Sequence, residues 1–259
     1  MPHKTNKIGE RLYCYIWQGR GNNCNTYLFA HVLRGGRPHI IVDPGSVVNE
    51  LREDCYGSLV AAMQSDGIRP EDIGLVINTH THPDHCHATE KIVEAGTREP
   101  AGKAGISGPL TALSRQEYDY FKSVGEKMFG MFGMPAPQLE PFIYLTEGDL
   151  ILGKAGDSPE GGDGRIELKV ILTPGHSPGS ISLYWPEQRA LITGDAVFFG
   201  SIGRTDFPGG SISTLKQSID KLAALDVEYL LPGHSTEYGS IIAGRDMVRR
   251  NFSAIKLLV

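Results

Sequence analysis

The 259-residue chain has no apolar run close to the roughly 18 residues that a membrane-spanning helix needs. Its first residues, Met1-Pro-His-Lys-Thr-Asn-Lys7, are polar, so no signal peptide is expected and a cytoplasmic location is. The four cysteines, Cys14, Cys24, Cys55 and Cys86, form no C-x-x-C pair, which excludes a zinc knuckle and a thioredoxin-like redox motif. Without a leader they read as reduced thiols that pack as small hydrophobes. Positive charge is not in excess either: 25 Lys and Arg stand against 30 Asp and Glu, and no basic cluster is visible. That balance argues against nucleic acid as a partner. Ser177 and Ser235 follow histidines but lie in no G-x-S-x-G context, so a serine nucleophile is not expected. No internal repeat stands out and nothing indicates a second domain. At 40% hydrophobic and 21% charged, the chain is long enough to bury a sizeable α/β core.

Histidine is where the sequence becomes specific. Four of its nine fall in Asn78-Thr-His80-Thr-His82-Pro-Asp84-His85-Cys-His87. The preceding Gly74–Thr79 is a short β-branched run that reads as a buried strand, and Ala88–Ala95 reads as a helix stopped by Gly96. The cluster therefore sits at a strand end, where α/β sheets place ligands. His80 and His82 can turn two imidazoles to one point while Asp84 and His85 face a second, with Pro83 stiffening the loop between them. Imidazoles and a carboxylate suit zinc, iron or manganese.

Three later segments repeat one pattern, a strand-like run, then glycine, then a ligand-type residue. His176 follows Ile166–Leu172 and Thr173-Pro-Gly, Asp195 follows Ala190–Gly194, and His234 follows Val227–Gly233.

In this order, H-x-H-x-D-H, P-G-H, G-D and P-G-H resemble the metallo-β-lactamase superfamily, over about Ile40 to His234. Ile40-Ile-Val-Asp43-Pro-Gly45 resembles the strand and turn that precede the first motif there. The resemblance implies a four-layer αββα sandwich, one domain over residues 1–259, with strand-like runs near 11–17, 25–30 and 39–43. It also implies two divalent metal ions, zinc first, with iron or manganese accepted. His80, His82 and His176 would hold one; Asp84, His85 and His234 the other; Asp195 and a water or hydroxide would bridge them. Asp84 would also orient the hydroxide or shuttle a proton.

Gly203-Arg204-Thr205-Asp206-Phe207-Pro208 looks like the glyoxalase II-related hydrolases and the persulfide dioxygenases. It implies that Arg204 contacts an anionic part of a small-molecule substrate, against the plainer reading of a salt bridge with Asp206. The leading expectation is a metal-dependent hydrolase of an ester, thioester or lactone, glyoxalase II-like; the alternative is a dioxygenase with one iron on His80, His176 and Asp195. A helical insert is expected at about 97–148, with Tyr118, Phe121, Val124 and Met128 on one face, either a lid, a packed hairpin or a contact with a second copy of the chain. Pro70 is expected to stop the preceding helix, Ser211 to cap a helix to Leu225, and a basic helix to follow from about Ile241.

Overall fold

Successive strand side chains point to opposite faces, so an apolar strand can serve two cores at once. The computed structural model describes residues 2–97, 108–154 and 165–259. Strands β1 (His3–Ile8), β2 (Leu12–Trp17), β3 (Thr26–Phe29), β4 (His39–Val42), β5 (Ile73–Ile77), β6 (Leu110–Ser114) and β7 (Ile143–Leu145) form one sheet in that order. It is antiparallel from β1 to β4 and parallel from β4 to β7. The second sheet contains β8 (Gly148–Lys154), β9 (Arg165–Leu172), β10 (Ile181–Trp185), β11 (Ala190–Gly194), β14 (Tyr229–Pro232) and β15 (Ile242–Ala243), in the order β15-β14-β11-β10-β9-β8. Only β11 and β14 run parallel in it. A small hairpin, β12 (Val197–Phe198) and β13 (Ser201–Ile202), lies between β11 and β14 in the chain.

The layers follow from that alternation. Leu12, Cys14 and Ile16, with Ile40, Val42, Leu75 and Ile77, share one buried cluster with Leu168, Val170, Leu183, Trp185, Ile192 and Leu231. This is the seam between the sheets. The opposite face of the first sheet, Tyr15, Ile41 and Val76, packs on Leu59 and Met63 of α1 (Cys55–Ser65) and Ile92 of α3 (Thr89–Thr97). Beyond the second sheet, Tyr184, Leu191 and Leu230 pack on Leu215, Ile219 and Leu222 of α6 (Ile212–Ala223) and on Val248, Phe252 and Ile255 of α7 (Arg245–Ile255). The result is the expected αββα sandwich. Each buried Leu or Ile in it contributes roughly 1.5–3 kcal/mol relative to exposure. Among the described residues no helix is long and apolar enough to cross a membrane.

Some local expectations need correction. Helix α1 ends at Ser65, ahead of Gly67 with its φ of +75°, and Pro70 instead opens a single 3₁₀ turn, Pro70–Asp72. Gly96 does not stop α3; it lies inside that helix, where an added Cβ would sit 2.5 Å from Pro109. Ser211 does cap α6, accepting from the Thr214 N–H. The segment 97–148 contributes β6 and β7 to the first sheet as well as a helix, α4 (Arg115–Tyr120) and α5 (Glu126–Met131) joined by a π-helical turn at Phe121–Gly125. The inward face of that helix is Glu117, Tyr120, Phe121, Met128 and Phe129, while Tyr118 and Val124 are half-buried. A π turn advances the helix by an extra residue, so a face read at a period of 3.6 drifts off register. Gly161-Gly-Asp-Gly164, whose composition reads as an exposed loop, lies outside the described residues.

His3 and His39 are buried far from the histidine cluster. His3 Nδ1 lies 3.0 Å from Ser58 Oγ, and the His39 ring lies 4.8 Å from His31. Burial pushes both imidazoles down to about 4. Because the folded values are lowered, the unfolded chain takes up protons first as pH falls. Their contribution to stability is therefore complete above pH 6.5 and lost as pH drops toward 4. The thermal midpoint should fall over that window in buffer scans, and less steeply for His3→Gln; an identical slope would contradict the assignment.

Candidate metal centre

The candidate ligands arrive at one edge because the strands that carry them end there. Loop 78–82 leaves β5, His176 lies four residues beyond β9, Asp195 directly follows β11, and His234 lies two residues beyond β14. His82 has extended backbone and Pro83 begins the short helix α2 (Pro83–Cys86) at its first position, which proline favours. His80 and His82 therefore project from an extended loop, and Asp84 and His85 from a helical turn. Gly233 permits a close approach: a Cβ there would lie 2.2 Å from Asp195 Oδ1 and 2.8 Å from His85 Cε1. The glycines directly before His176 and Asp195 have the same meaning, since a Cβ at either would press on neighbouring atoms at 2.4 and 2.6 Å.

Two donor groups result. His80, His82 and His176 bring one ring nitrogen each within 4.8 Å of the others, as do Asp84, His85 and His234 with their own donor atoms. Between the groups stands Asp195, its Oδ1 3.1 Å from His85 Nε2 and its Oδ2 3.5 Å from both His176 Nε2 and His234 Nε2. In the second group His234 Nε2 is 3.1 Å from both His85 Nε2 and Asp84 Oδ2. All seven sequence-predicted ligands are thus brought together.

Hydrogen bonds on the far side of the rings decide which nitrogen faces inward. His176 Nδ1 donates to the Arg204 carbonyl at 2.7 Å, which leaves the Nε2 lone pair pointing into the site. His85 Nδ1 lies 2.9 Å from Asp43 Oδ2 and is fixed the same way. His80 Nδ1 is 3.1 Å from Thr79 Oγ1. The Nε2 atoms of His80, His82 and His176 are buried without a hydrogen-bond partner. Three orphaned lone pairs aimed at one point are costly unless a cation meets them, so this donor set fits a metal ion.

The electrostatics agree. Burial, then the neighbouring imidazoles, push His80 well below its ordinary value, and burial pushes His82 down to about 3, so both are neutral at pH 7, as metal-ligating imidazoles must be. Burial opposes protonation of His85 and His234 too, but the carboxylates, Asp195 first, raise both. Burial would raise Asp84 and Asp195, yet the adjacent imidazoles hold both carboxyls well below the usual range. The acids stay ionised, as ligands must.

Two residues play parts that the motifs did not disclose. Asp43, directly after β4 with a φ of +52°, also accepts from the Thr79 N–H at 2.7 Å and the Thr79 hydroxyl at 2.6 Å. It belongs to a third donor group, with His80 and His85. Its signal was the D-P-G after a strand. Asn22 donates from Nδ2 to Asp84 Oδ2 at 2.8 Å, which no spacing rule would have found. Arg204 serves the site through its carbonyl; its guanidinium is engaged by Asp206 at 2.7 and 2.6 Å and lies 4.0 Å over the Phe207 ring. Cys86 is buried on Phe121, Phe129 and Leu139 and is not among the ligands.

Comparison with known proteins agrees with this geometry. A family model described as the metallo-beta-lactamase superfamily matches residues 19–234. The chain is 30% identical over 221 residues to a probable metallo-hydrolase, MJ0888, of Methanocaldococcus jannaschii, covering 83% of this chain and 89% of that one. It is 30% identical over 246 residues to the acyl-coenzyme A thioesterase MBLAC2 of Bos taurus, covering 90% and 78%. Among solved structures, TTHA1623 in a di-iron-bound form superposes with a TM-score of 0.63 at 25% identity, covering 90% of this chain and 98% of that one.

Replacing Asp43 by Asn places an amide opposite Thr79 N–H and His85 Nδ1, and one of its faces must confront a donor or reverse the His85 tautomer. Chelator competition should show binding at the Asp84–His85–His234 group weakened about 10–100-fold. Unchanged affinity would mean that His85 needs no orienting partner.

Proposed function

Since the chain belongs to the metallo-β-lactamase superfamily, we propose that it is a two-cation hydrolase of small-molecule thioesters, of the glyoxalase II-like kind. The observation that carries this reading is Asp195, buried between two complete donor groups and within 3.5 Å of a ring nitrogen from each. Two divalent ions, zinc first, held on either side of it would activate water and polarise a carbonyl. The chain's own residues do the rest. His80, His82 and His176 on one side and Asp84, His85 and His234 on the other fix where the electrophile and the attacking water meet. Asp84 is the acid placed to hold and pass a proton: it reaches solvent more than Asp195, and Asn22 and His234 both anchor its Oδ2. Phe207, edge-on to His82 at 5.4 Å, and Phe198, edge-on to His234 at 5.9 Å, give the mouth an apolar wall that limits water. A thioester, with a weakly hydrated sulfur and an apolar acyl group, suits that wall, and a relative that is an acyl-coenzyme A thioesterase by name supports the class.

The one-iron dioxygenase reading would use His80, His176 and Asp195 and leave Asp84, His85 and His234 without a task. Their convergence at 3.1 Å favours the two-cation reading.

Elemental content and thioester hydrolysis, measured together, test this. The purified protein should hold close to two zinc or zinc-like ions and cleave acyl-glutathione or acyl-coenzyme A thioesters. Asp195→Ala should lose metal and at least about 100-fold in kcat/KM, the upper range for even outer-sphere changes. One iron per chain with oxygen uptake on a persulfide would overturn it. We further propose that Arg204 lies on the substrate rim, where an anionic group must displace Asp206 to use its fork. An exposed ion pair is weak and easily displaced, so Arg204→Ala should shift KM for an anionic thioester less than about tenfold and leave metal content intact. A loss of metal would show that its carbonyl is misplaced along with its side chain.

A further inference from the structure

One fully buried carboxylate lies outside the donor groups and touches both loops of the three-histidine group. Glu117, on the first turn of α4, has no exposed surface. Its Oε1 accepts from the Thr81 N–H at 2.9 Å and the Thr81 hydroxyl at 2.8 Å. Its Oε2 accepts from the Ser177 hydroxyl at 2.7 Å and the Gly179 N–H at 2.9 Å. Thr81 stands between His80 and His82, and Ser177 directly follows His176.

The helix itself is docked to make these contacts. Ser114 caps it, accepting from the Glu117 N–H at 3.1 Å and donating to the Gly179 carbonyl at 2.6 Å. A Cβ on Gly179 would lie 2.1 Å from the Glu117 nitrogen, so only glycine lets the two backbones meet. Further along, Phe121 and Phe129 pack on Cys86, behind Asp84 and His85. This part of the 97–148 segment is therefore built into the ligand loops, in the manner of a brace. Burial pushes the Glu117 carboxyl up, and the four donors pull the other way.

We propose that Glu117 is a positioning residue that clamps the His80–His82 loop to the His176 loop and so sets the metal affinity of the three-histidine group, leaving the Asp84–His85–His234 group to its own supports. The role rests on the reading of His80, His82 and His176 as ligands. Asn22 bonds to Asp84 from a different element, and Asp43, although it also holds Thr79 beside His80, bonds directly to His85, so Glu117 and these two residues reach different ligands.

Glu117→Gln keeps the shape but cannot accept on both sides. Its amide nitrogen must confront either the Thr81 N–H or the Gly179 N–H, and a backbone N–H cannot turn away as a hydroxyl can. Zinc titration against a chromophoric chelator, with the metal-free thermal midpoint measured alongside, reads the effect. In Glu117→Gln one zinc should bind as in the parent and the other about 10–100-fold more weakly, the range found when orienting partners of ligands are lost. The metal-free midpoint should move by only a few degrees. Ser177→Ala, which removes one of the four bonds, should weaken the same zinc by less than about tenfold.

A folded Glu117→Gln that holds both ions like the parent would overturn the role. So would equal weakening of both ions with a matching fall in the metal-free midpoint, the signature of general destabilisation. Should Glu117→Gln not fold, Ser177→Ala decides, and unchanged zinc binding there overturns it. A parent protein that binds no zinc, iron or manganese at all would contradict the metal reading itself, and this role with it.

Discussion

Packing five imidazoles and two carboxylates side by side, most of them buried, is the constraint on which the rest of this structure depends. Three of the ring nitrogens have no hydrogen-bond partner at all, and lone pairs that face one another repel. Cations held there would resolve the conflict, and Asp195 stands where its negative charge reaches both sides at once. A protein that keeps this arrangement gives up local stability for it and must hold the loops in place by other means.

Those means come from both sheets and from outside them. The first sheet supplies Asp43 and the H-x-H-x-D-H loop at the ends of its parallel strands, and the second supplies His176, Asp195 and His234. The apolar seam between them fixes the two halves of the centre relative to each other. The sheets are also tied near the site itself: Tyr27 Oη and Asn25 Nδ2 both donate to the Pro232 carbonyl, two residues before His234. Asp43, the Arg204 carbonyl and Glu117 then set ring orientation and loop spacing. A hydrolytic centre needs this kind of placement, since water and carbonyl must meet within a few tenths of an ångström.

The candidate ligands were legible in the sequence because four of them share one short motif after a strand-like run, and the other three each follow a strand-like run and a glycine that permits close approach. The layer order was legible only through the resemblance of those motifs to a known family, with which the strands agree, most of them being apolar on both faces as strands covered on both sides must be. The supporting residues were not. Glu117 reads as an ordinary helix glutamate, and its partners lie 36, 60 and 62 residues away in the chain. Nothing in local spacing could join them. The helix face over 115–131 was misplaced because a π turn breaks the period on which such a reading depends. For Arg204 the motif pointed to the right loop, while the atom that touches the site is a main-chain oxygen, which no side-chain pattern encodes.

The most direct test is anomalous diffraction from crystals grown with zinc, recorded on both sides of the zinc absorption edge. Two peaks are expected a few ångströms apart, one within reach of His80, His82 and His176, the other within reach of Asp84, His85 and His234, with an Asp195 oxygen toward each. A single peak with Asp84, His85 and His234 uninvolved, or none at this edge of the sandwich, would contradict the two-cation account.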